Sequence, residues 1–298
     1  MNQSSVMKKI HLVLFFVFIS QLVFAQRFHI GVYGGLAAYN GDLTDKIFPK
    51  KVTNGAIGIT ANYELTDNIM LRGGYTYAVV GGADRFSSDS GRRARNLAFE
   101  TQLSEFHLVG EYYLLNLYEH RFTPYAYAGL AVYHFNPYAF NGTTDKIYLK
   151  PLSTEGQGLP GYTQNPYKLT QAAIPYGAGI KFAVTDNLHL GLEVGLRKLF
   201  TDYLDDVSTN FADPNDLLAG RGQLSVDMSY RGDDVGHPVY PAKGAQRGSP
   251  KHKDTYYFTG LHLSYRLGAG NGGGSGLFGG GGGSKKNKNS TGCPVNVY

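Results

Sequence analysis

The sequence predicts an all-β fold, an eight-stranded antiparallel transmembrane β-barrel with a flexible Gly-rich C-terminal tail. Three observations support this prediction. Apolar residues alternate with polar ones, connections alternate between short and long, and no apolar run after residue 25 is long enough for a spanning helix.

The alternation is clearest in the hairpin of residues 174–199. Each of its arms is about 9–11 residues long, the length that crosses a bilayer at a tilt. A period of two indicates strands, with apolar side chains on one face and polar or charged ones on the other. In the second arm the apolar face is formed by Leu188, Leu190, Leu192, Val194 and Leu196, and the other face by His189, Gly191, Glu193, Gly195 and Arg197.

Residues 1–25 are predicted to be a secretory signal peptide with cleavage after Ala25. Lys8 and Lys9 precede an apolar run that is too short for a membrane helix and ends in a small-residue cleavage site. The residue directly after that site is Gln26 and not a cysteine, so no lipid anchor is expected there. Without these two lysines, 26 Lys and Arg face 23 Asp and Glu, so the charge falls from +5 to +3. This balance gives no reason to expect nucleic acid as a partner.

The mature barrel is expected to span residues 26–267. Its strands are predicted at 28–39, 55–65, 69–79, 103–115, 124–135, 174–184, 188–199 and 256–267. The fifth segment is ambiguous, and His134 and the small alanines are assigned to the interior. The side chains of this segment that are assigned to the lipid side are therefore Tyr125, Tyr127, Tyr133 and Phe135. In the last segment, alternation assigns to the lipid side Tyr257, Leu261, Leu263, Tyr265 and Leu267. Pro175 lacks an N–H, which predicts a bulge or a ladder break near the outer rim.

Short and long connections alternate strictly along the chain. The short ones are 66–68, 116–123 and 185–187, and the long, polar ones are 43–52, 81–96, 136–169 and 202–254. Bacterial barrels have short periplasmic turns and long outer loops. Both chain ends are therefore expected in the periplasm and the last long loop outside.

The charged faces of the strands are expected to point into the barrel. Eight strands leave an interior just wide enough to be filled by side chains, and both signs of charge are present to neutralise each other. The predicted interior charges are Glu64, Arg72, Glu105, His107, Glu111, Lys181, Glu193, Arg197, His262 and Arg266. The three arginines are expected to pair with Glu64, Glu111 or Glu193, which predicts a filled barrel and no porin-like channel.

Catalytic and metal-binding interpretations of some polar residues are also open, but the sequence favours structural roles for them. His107 with Glu105 and Glu111 could form an acid–base cluster, yet a filled barrel gives no substrate access. A barrel hydrolase would need Ser and His on the lipid side near the outer rim, where almost none occur. The acids of the last loop could bind calcium, but their spacing fits no known loop motif and favours solvated side chains. These acids are Asp202, Asp205, Asp206, Asp213 and Asp216. No catalytic, cofactor or metal residue is assigned.

Residues 268–298 are expected to be a flexible tail, because a glycine tract behaves as a tether. Cys293 is the only cysteine, so no intramolecular disulfide can form. With an even strand number the tail emerges on the periplasmic side. Candidate contacts for a periplasmic partner are Tyr118, Glu119, His120, Arg121, Lys285, Lys286 and Cys293.

Several strings in chain order resemble the PorG-like outer-membrane barrels of the type IX secretion system. They are Tyr39-Asn40-Gly41-Asp42-Leu43, Arg95-Asn96-Leu97-Ala98-Phe99, Tyr133-His134-Phe135-Asn136-Pro137, the segments 151–158, 169–175 and 200–208, and Cys293-Pro294. The resemblance implies a non-enzymatic scaffold of a protein-export and gliding machine, placed above a periplasmic ring of a PorK-like lipoprotein and a PorN-like partner. The glycine tract departs from that pattern.

Two other classes of function stay open. One is a generic small barrel that acts as an adhesin or stabilises the envelope, and the other is a barrel enzyme. Binding activity in the outer loops would favour the adhesin, whereas activity in the periplasmic turns and tail would favour the secretion component.

Overall fold

The computed structural model describes residues 27–44, 52–142, 145–251 and 253–267. The predicted signal peptide and the predicted tail, with Lys285, Lys286 and Cys293, lie outside the described residues.

Eight long strands form a closed antiparallel barrel. They are β1 (Phe28–Asn40), β2 (Thr53–Thr66), β3 (Ile69–Ala83), β4 (Ala98–Tyr113), β5 (Phe122–His134), β8 (Thr170–Ala183), β9 (Leu188–Leu199) and β10 (Thr255–Arg266). Each pairs with its neighbour along the chain, and β1 pairs with β10. Two short strands, β6 (Tyr138–Phe140) and β7 (Lys146–Tyr148), form a hairpin that joins the edge of β4. The predicted fold class is therefore confirmed.

The two faces of the strands have opposite chemistry. Ile57 and Leu130 on the outer face are 66% and 71% exposed, whereas Glu105 and Glu111 on the inner face are almost fully buried. Closure gives every barrel strand a hydrogen-bonded neighbour on both sides, and an apolar outer face is suited to contact with lipid. This arrangement is that of an outer-membrane-type barrel.

The fifth predicted segment was assigned the wrong way round. Tyr125, Tyr127, Tyr133 and Phe135 are inside the barrel and buried, and His134 is exposed. The Tyr125 hydroxyl donates to buried Glu193 at 2.7 Å, and Tyr133 stacks on Phe135 with ring centroids 5.6 Å apart. The interior has carboxylates that need donors, and tyrosine supplies both a donor and a ring.

The strands extend further than alternation predicted at the end that carries the long loops. β4 begins at Ala98 instead of Leu103 because its first residues continue the ladder with β3, up to the pair Ala83 and Ala98. Tyr257, assigned to the lipid side of β10, is only 4% exposed. The protein therefore covers part of its own outer face near this end.

The predicted ladder break at Pro175 is confirmed, and the alternative of a bulge is wrong. β8 keeps an unshifted register with β9 through Pro175. Its ladder with β5 stops at Ala128–Tyr176 and resumes in the same register at Ala131–Ala173.

The long connections fold over one end of the barrel as a cap, formed by the described parts of residues 84–97, 135–169 and 200–254. The cap contains α1 (Ser90–Arg95), α2 (Pro214–Arg221), α3 (Gln223–Ser229) and 3₁₀ turns at Asp84–Phe86, Lys150–Leu152 and Asp233–Val235. Carboxylates cap two of the helices: Asp89 accepts from the Arg92 N–H, and Asp213 from the Asn215 N–H.

The cap and the adjoining part of the barrel share one apolar core. Its cap members include Leu149, Leu204, Val207 and Met228, packed against barrel residues such as Tyr133 and Tyr256. Among the described residues, no helix is long and apolar enough to cross a membrane.

Candidate functional site

The buried charges inside the barrel form three groups along its axis. Nearest the cap, Glu105 accepts from Arg197 at 3.1 Å and from the Tyr256 hydroxyl at 2.7 Å. The His107 ring also lies beside this carboxylate, at 3.2 Å. Alternation in β4, β9 and β10 points these side chains inward.

In the middle group, one guanidinium pairs with two carboxylates. Arg72 contacts Glu111 at 3.0 Å and Glu193 at 2.8 Å. Lys181 binds the second oxygen of Glu111 at 2.9 Å, and Tyr113 also donates to that carboxylate. Paired in this way, the charges are compensated where water is excluded.

The third group lies at the end with the short turns. Glu64 contacts the His29 ring at 2.8 Å and the Arg266 guanidinium at 3.6 Å. His262, placed inside by the alternation, lies 2.7 Å from the Thr60 hydroxyl. Arg197 pairs with Glu105, which was not among the three partners expected for it.

The interior is packed. A cavity among Arg72, His107, Glu193 and Arg197 has a volume of about 10 Å³. That is room for roughly one water molecule. Within the described barrel, the Glu105 side chain is fully buried and the His107 side chain is 6% exposed, and both belong to the network of paired charges.

The prediction that the acids of the last loop are solvated is wrong for three of the five and correct for Asp216, whose side chain is 42% exposed. Asp202, Asp205 and Asp206 are buried in the cap, while Asp213 and Asp216 are at the start of α2. Tyr39 donates to both Asp205 and Asp254. Burial raises the pKa of Asp202 and of Asp206 to about 6.

Two buried arginines of the cap pair with buried acids. Arg247 binds Glu155 at 3.0 Å, and Arg95 holds Asp84 with two bonds of 2.7 Å. Alternation cannot reveal these pairs because Glu155 and Arg247 come from different loops. The only signal in the sequence is that Arg95, Glu155 and the acids at 202–206 fall in the strings that carry the family resemblance. Within the described ranges, no group of three or more His, Cys, Asp or Glu side chains is arranged to hold a metal ion.

The connection between β4 and β5 forms a structured knob at the short-turn end, here called the rim turn (116–121). Its tip residues Tyr118, Glu119, His120 and Arg121 are exposed. The Asn116 side chain accepts from the Tyr118 N–H at 2.8 Å, and its carbonyl accepts from the His120 N–H at 2.9 Å. The turn is thus ordered by its own hydrogen bonds.

The rim turn is also fastened to neighbouring strands. The Tyr118 hydroxyl donates to Glu64 on β2 at 2.8 Å, and the Arg266 guanidinium of β10 lies 5.2 Å from the centre of its ring. The Arg121 carbonyl accepts from the Ala183 N–H of β8 at 2.8 Å. An exposed turn held at three points can present a fixed shape to a partner.

The family relationship follows from the sequence match that covers most of this structure. Residues 8–220 match the family described as a domain of unknown function, DUF6089. The chain belongs to this family. No curated protein matches the sequence.

Three solved structures are similar to this DUF6089 protein. Neisserial surface protein A (NspA) is 11% identical, covers 80% of this chain and 97% of its own, and has a TM-score of 0.41. Ail of Yersinia pestis, in complex with the heparin analogue sucrose octasulfate, is 10% identical, with coverages of 81% and 98% and a TM-score of 0.38. The outer membrane protein OprG from Pseudomonas aeruginosa is 11% identical, with coverages of 81% and 98% and a TM-score of 0.37.

Proposed function

We propose that this protein is a non-enzymatic scaffold of a type IX secretion system that anchors a periplasmic ring to the outer membrane. The ring would consist of a PorK-like lipoprotein and its PorN-like partner. In this proposal residues 1–25 are the signal peptide, 26–267 the barrel and 268–298 a periplasmic tail. The short-turn end and both chain ends face the periplasm, and the cap faces outward.

The observation that carries the proposal is the fastened rim turn. Its exposed tip carries Tyr118, Glu119, His120 and Arg121 on a backbone held by hydrogen bonds, with the Tyr118 side chain bound to Glu64. A preordered surface loses little conformational entropy when it docks, which suits a permanent anchor. The packed interior supports a structural role over transport.

The experiment changes the tip without disturbing the turn. Glu119, His120 and Arg121 are replaced by serine, and Asn116, Tyr118 and buried Thr123 are kept. A second variant lacks residues 268–298. Both should remain heat-modifiable barrels in the membrane yet lose co-purification with the ring proteins, and secretion with it.

The matched control replaces three exposed cap residues, Val235, His237 and Val239, by serine. This variant should secrete and co-purify normally. Normal behaviour of both periplasmic variants, together with loss of secretion in the cap variant, would refute the scaffold.

One observation favours a second candidate, an adhesin or envelope-stabilising barrel. The cap is folded and exposes apolar side chains, with Val239 at 79% and Leu218 at 48%. Loss of surface binding in the cap variant, with secretion unaffected by any variant, would favour this candidate.

A further inference from the structure

An apolar groove of about 790 Å³ crosses the lipid-facing side of the barrel. This volume falls in the range of roughly 300–1,000 Å³ that is typical of ligand sites. The strand register arranges its side chains in two adjacent rows. One row is Ala61, Gly73, Leu108, Leu130 and Ile174, and the other is Ile59, Tyr75, Phe106, Val132 and Ala172.

The depth of the groove comes from differences in side-chain size along these rows. The groove is deep at one end because Gly73 and Ala61 have little or no side chain, and Ala172 has the same effect near the other end. The rings of Tyr75 and Phe106, 4.8 Å apart, form one wall. Across the interrupted β5–β8 ladder, the groove continues past Ile174 to Phe200 at the end with the long loops.

A lysine side chain lies beyond this end of the groove. Lys198 is exposed on β9 and is the register partner of Ile174, so it continues the first row. A lysine on a lipid-facing surface is tolerated when its ammonium reaches the headgroup layer. The neighbouring rim is polar, since His134 and Thr170 are hydrogen-bonded there at 2.9 Å.

The groove therefore has an apolar channel inside the hydrocarbon layer and a positive charge where headgroups begin. We propose that it binds one phosphate-bearing lipid of the outer leaflet, with an acyl chain along the two rows and the phosphate at Lys198. Contact on several sides gives a chain in the groove more dispersion energy than a chain on a smooth barrel wall. The choice of leaflet rests on the proposed orientation of the barrel, whereas the groove and its cation do not.

Native mass spectrometry of the purified full-length protein tests this proposal. The probes are lipid A, dephosphorylated lipid A and phosphatidylglycerol. The wild type should retain one lipid A molecule and prefer it to the other two. Gly73→Leu fills the floor, where a Cβ has room because its nearest neighbour is 3.8 Å away. This variant should lower lipid A retention by about tenfold, as most of the chain's close contacts disappear.

The control is Gly34→Leu, an outward glycine on β1 whose Cβ would meet nothing within 4 Å. It should retain lipid A like the wild type. Lys198→Gln should weaken lipid A but leave the dephosphorylated form unchanged, and Lys251→Gln, in the cap, should change neither. If Gly73→Leu is not heat-modifiable, Ala172→Leu tests the other end of the groove.

Equal retention by the Gly73 and Gly34 variants would overturn the lipid site, and so would a groove occupied by a second copy of the chain. Preference for phosphatidylglycerol would overturn the outer-leaflet assignment. None of these results depends on secretion or on ring proteins, so the lipid site and the scaffold function are tested independently.

Discussion

At the scale of single residues, Glu111 has the most consequential position in the barrel. It is fully enclosed and accepts contacts from Arg72 at 3.0 Å and Lys181 at 2.9 Å. Replacement of a whole buried pair by apolar groups can be neutral, but removal of one partner leaves an uncompensated charge.

Glu111→Gln should therefore lower the free energy of unfolding by about 3–5 kcal/mol. Urea unfolding in lipid vesicles, followed by tyrosine fluorescence, measures this loss. Glu100→Gln is the control, since the half-buried Glu100 accepts a hydrogen bond from Tyr138 at the long-loop end of the barrel. Its loss should stay within roughly 0.5 kcal/mol. Similar losses in both variants would contradict the charge-packing interpretation.

Asp202 and Asp206 make the cap sensitive to pH. Their folded-state pKa values of about 6 are above the ordinary value of 3.8 because burial disfavours the charged carboxylate. As pH rises, these two carboxyl groups therefore lose their protons at a lower pH in the unfolded chain than in the folded chain. Cap stability should be highest below about pH 4 and should fall as pH rises through about 6.

Limited proteolysis of the cap between pH 4 and 7 checks this, with faster cleavage expected at the higher pH. Thr154 and Tyr167 donate to separate oxygens of Asp206. Asp206→Asn keeps a carbonyl acceptor for one of these two hydroxyls and removes the titrating group, so it should flatten part of the dependence. A cleavage rate that falls as pH rises would show that the sign is wrong.

At the scale of elements, alternation was sufficient where one face is charged and the other aliphatic, as in β3 and β9. It failed in β5 because tyrosine suits either side of a membrane barrel and the deciding partner, Glu193, is on another strand. It also missed the folding of the cap, because Glu155 and Arg247 come from loops far apart in sequence. Tertiary pairing of this kind leaves no periodic signal.

The corrected facing of β5 can be tested with a charge on its lipid side. Leu130→Arg should cost about 2–4 kcal/mol if the residue is near the bilayer midplane. Gln102→Arg, on the exposed side of β4 nearer the long-loop end of the barrel, should cost at most about 1 kcal/mol. Refolding yields into vesicles and urea midpoints give both values. An equal cost at the two positions would contradict the assigned depth and facing.

At the scale of the whole molecule, the sequence predicted the eight barrel strands, the short turns and the charged interior, because each follows from local alternation. The rim turn was predicted as a partner surface from its position alone. Its fastening to Glu64 and Arg266 required the closed barrel, which brings β2 and β10 to the same edge.

The packed interior also predicts an electrical property. Planar-bilayer recordings should show no steady conductance of porin size, since the cavity among Arg72, His107, Glu193 and Arg197 holds about 10 Å³. A stable open channel would mean that the side chains do not fill the barrel and would revive a transport role.

The central claim is that the rim turn faces the periplasm and the cap faces the medium. The most direct measurement places one protease site after Val239 in the cap and, in a second variant, the same site between Glu119 and His120. In intact cells only the cap site should be cut, and the rim-turn site should be cut once the outer membrane is permeabilised. Cleavage of the rim-turn site in intact cells, with the cap protected, would contradict the account.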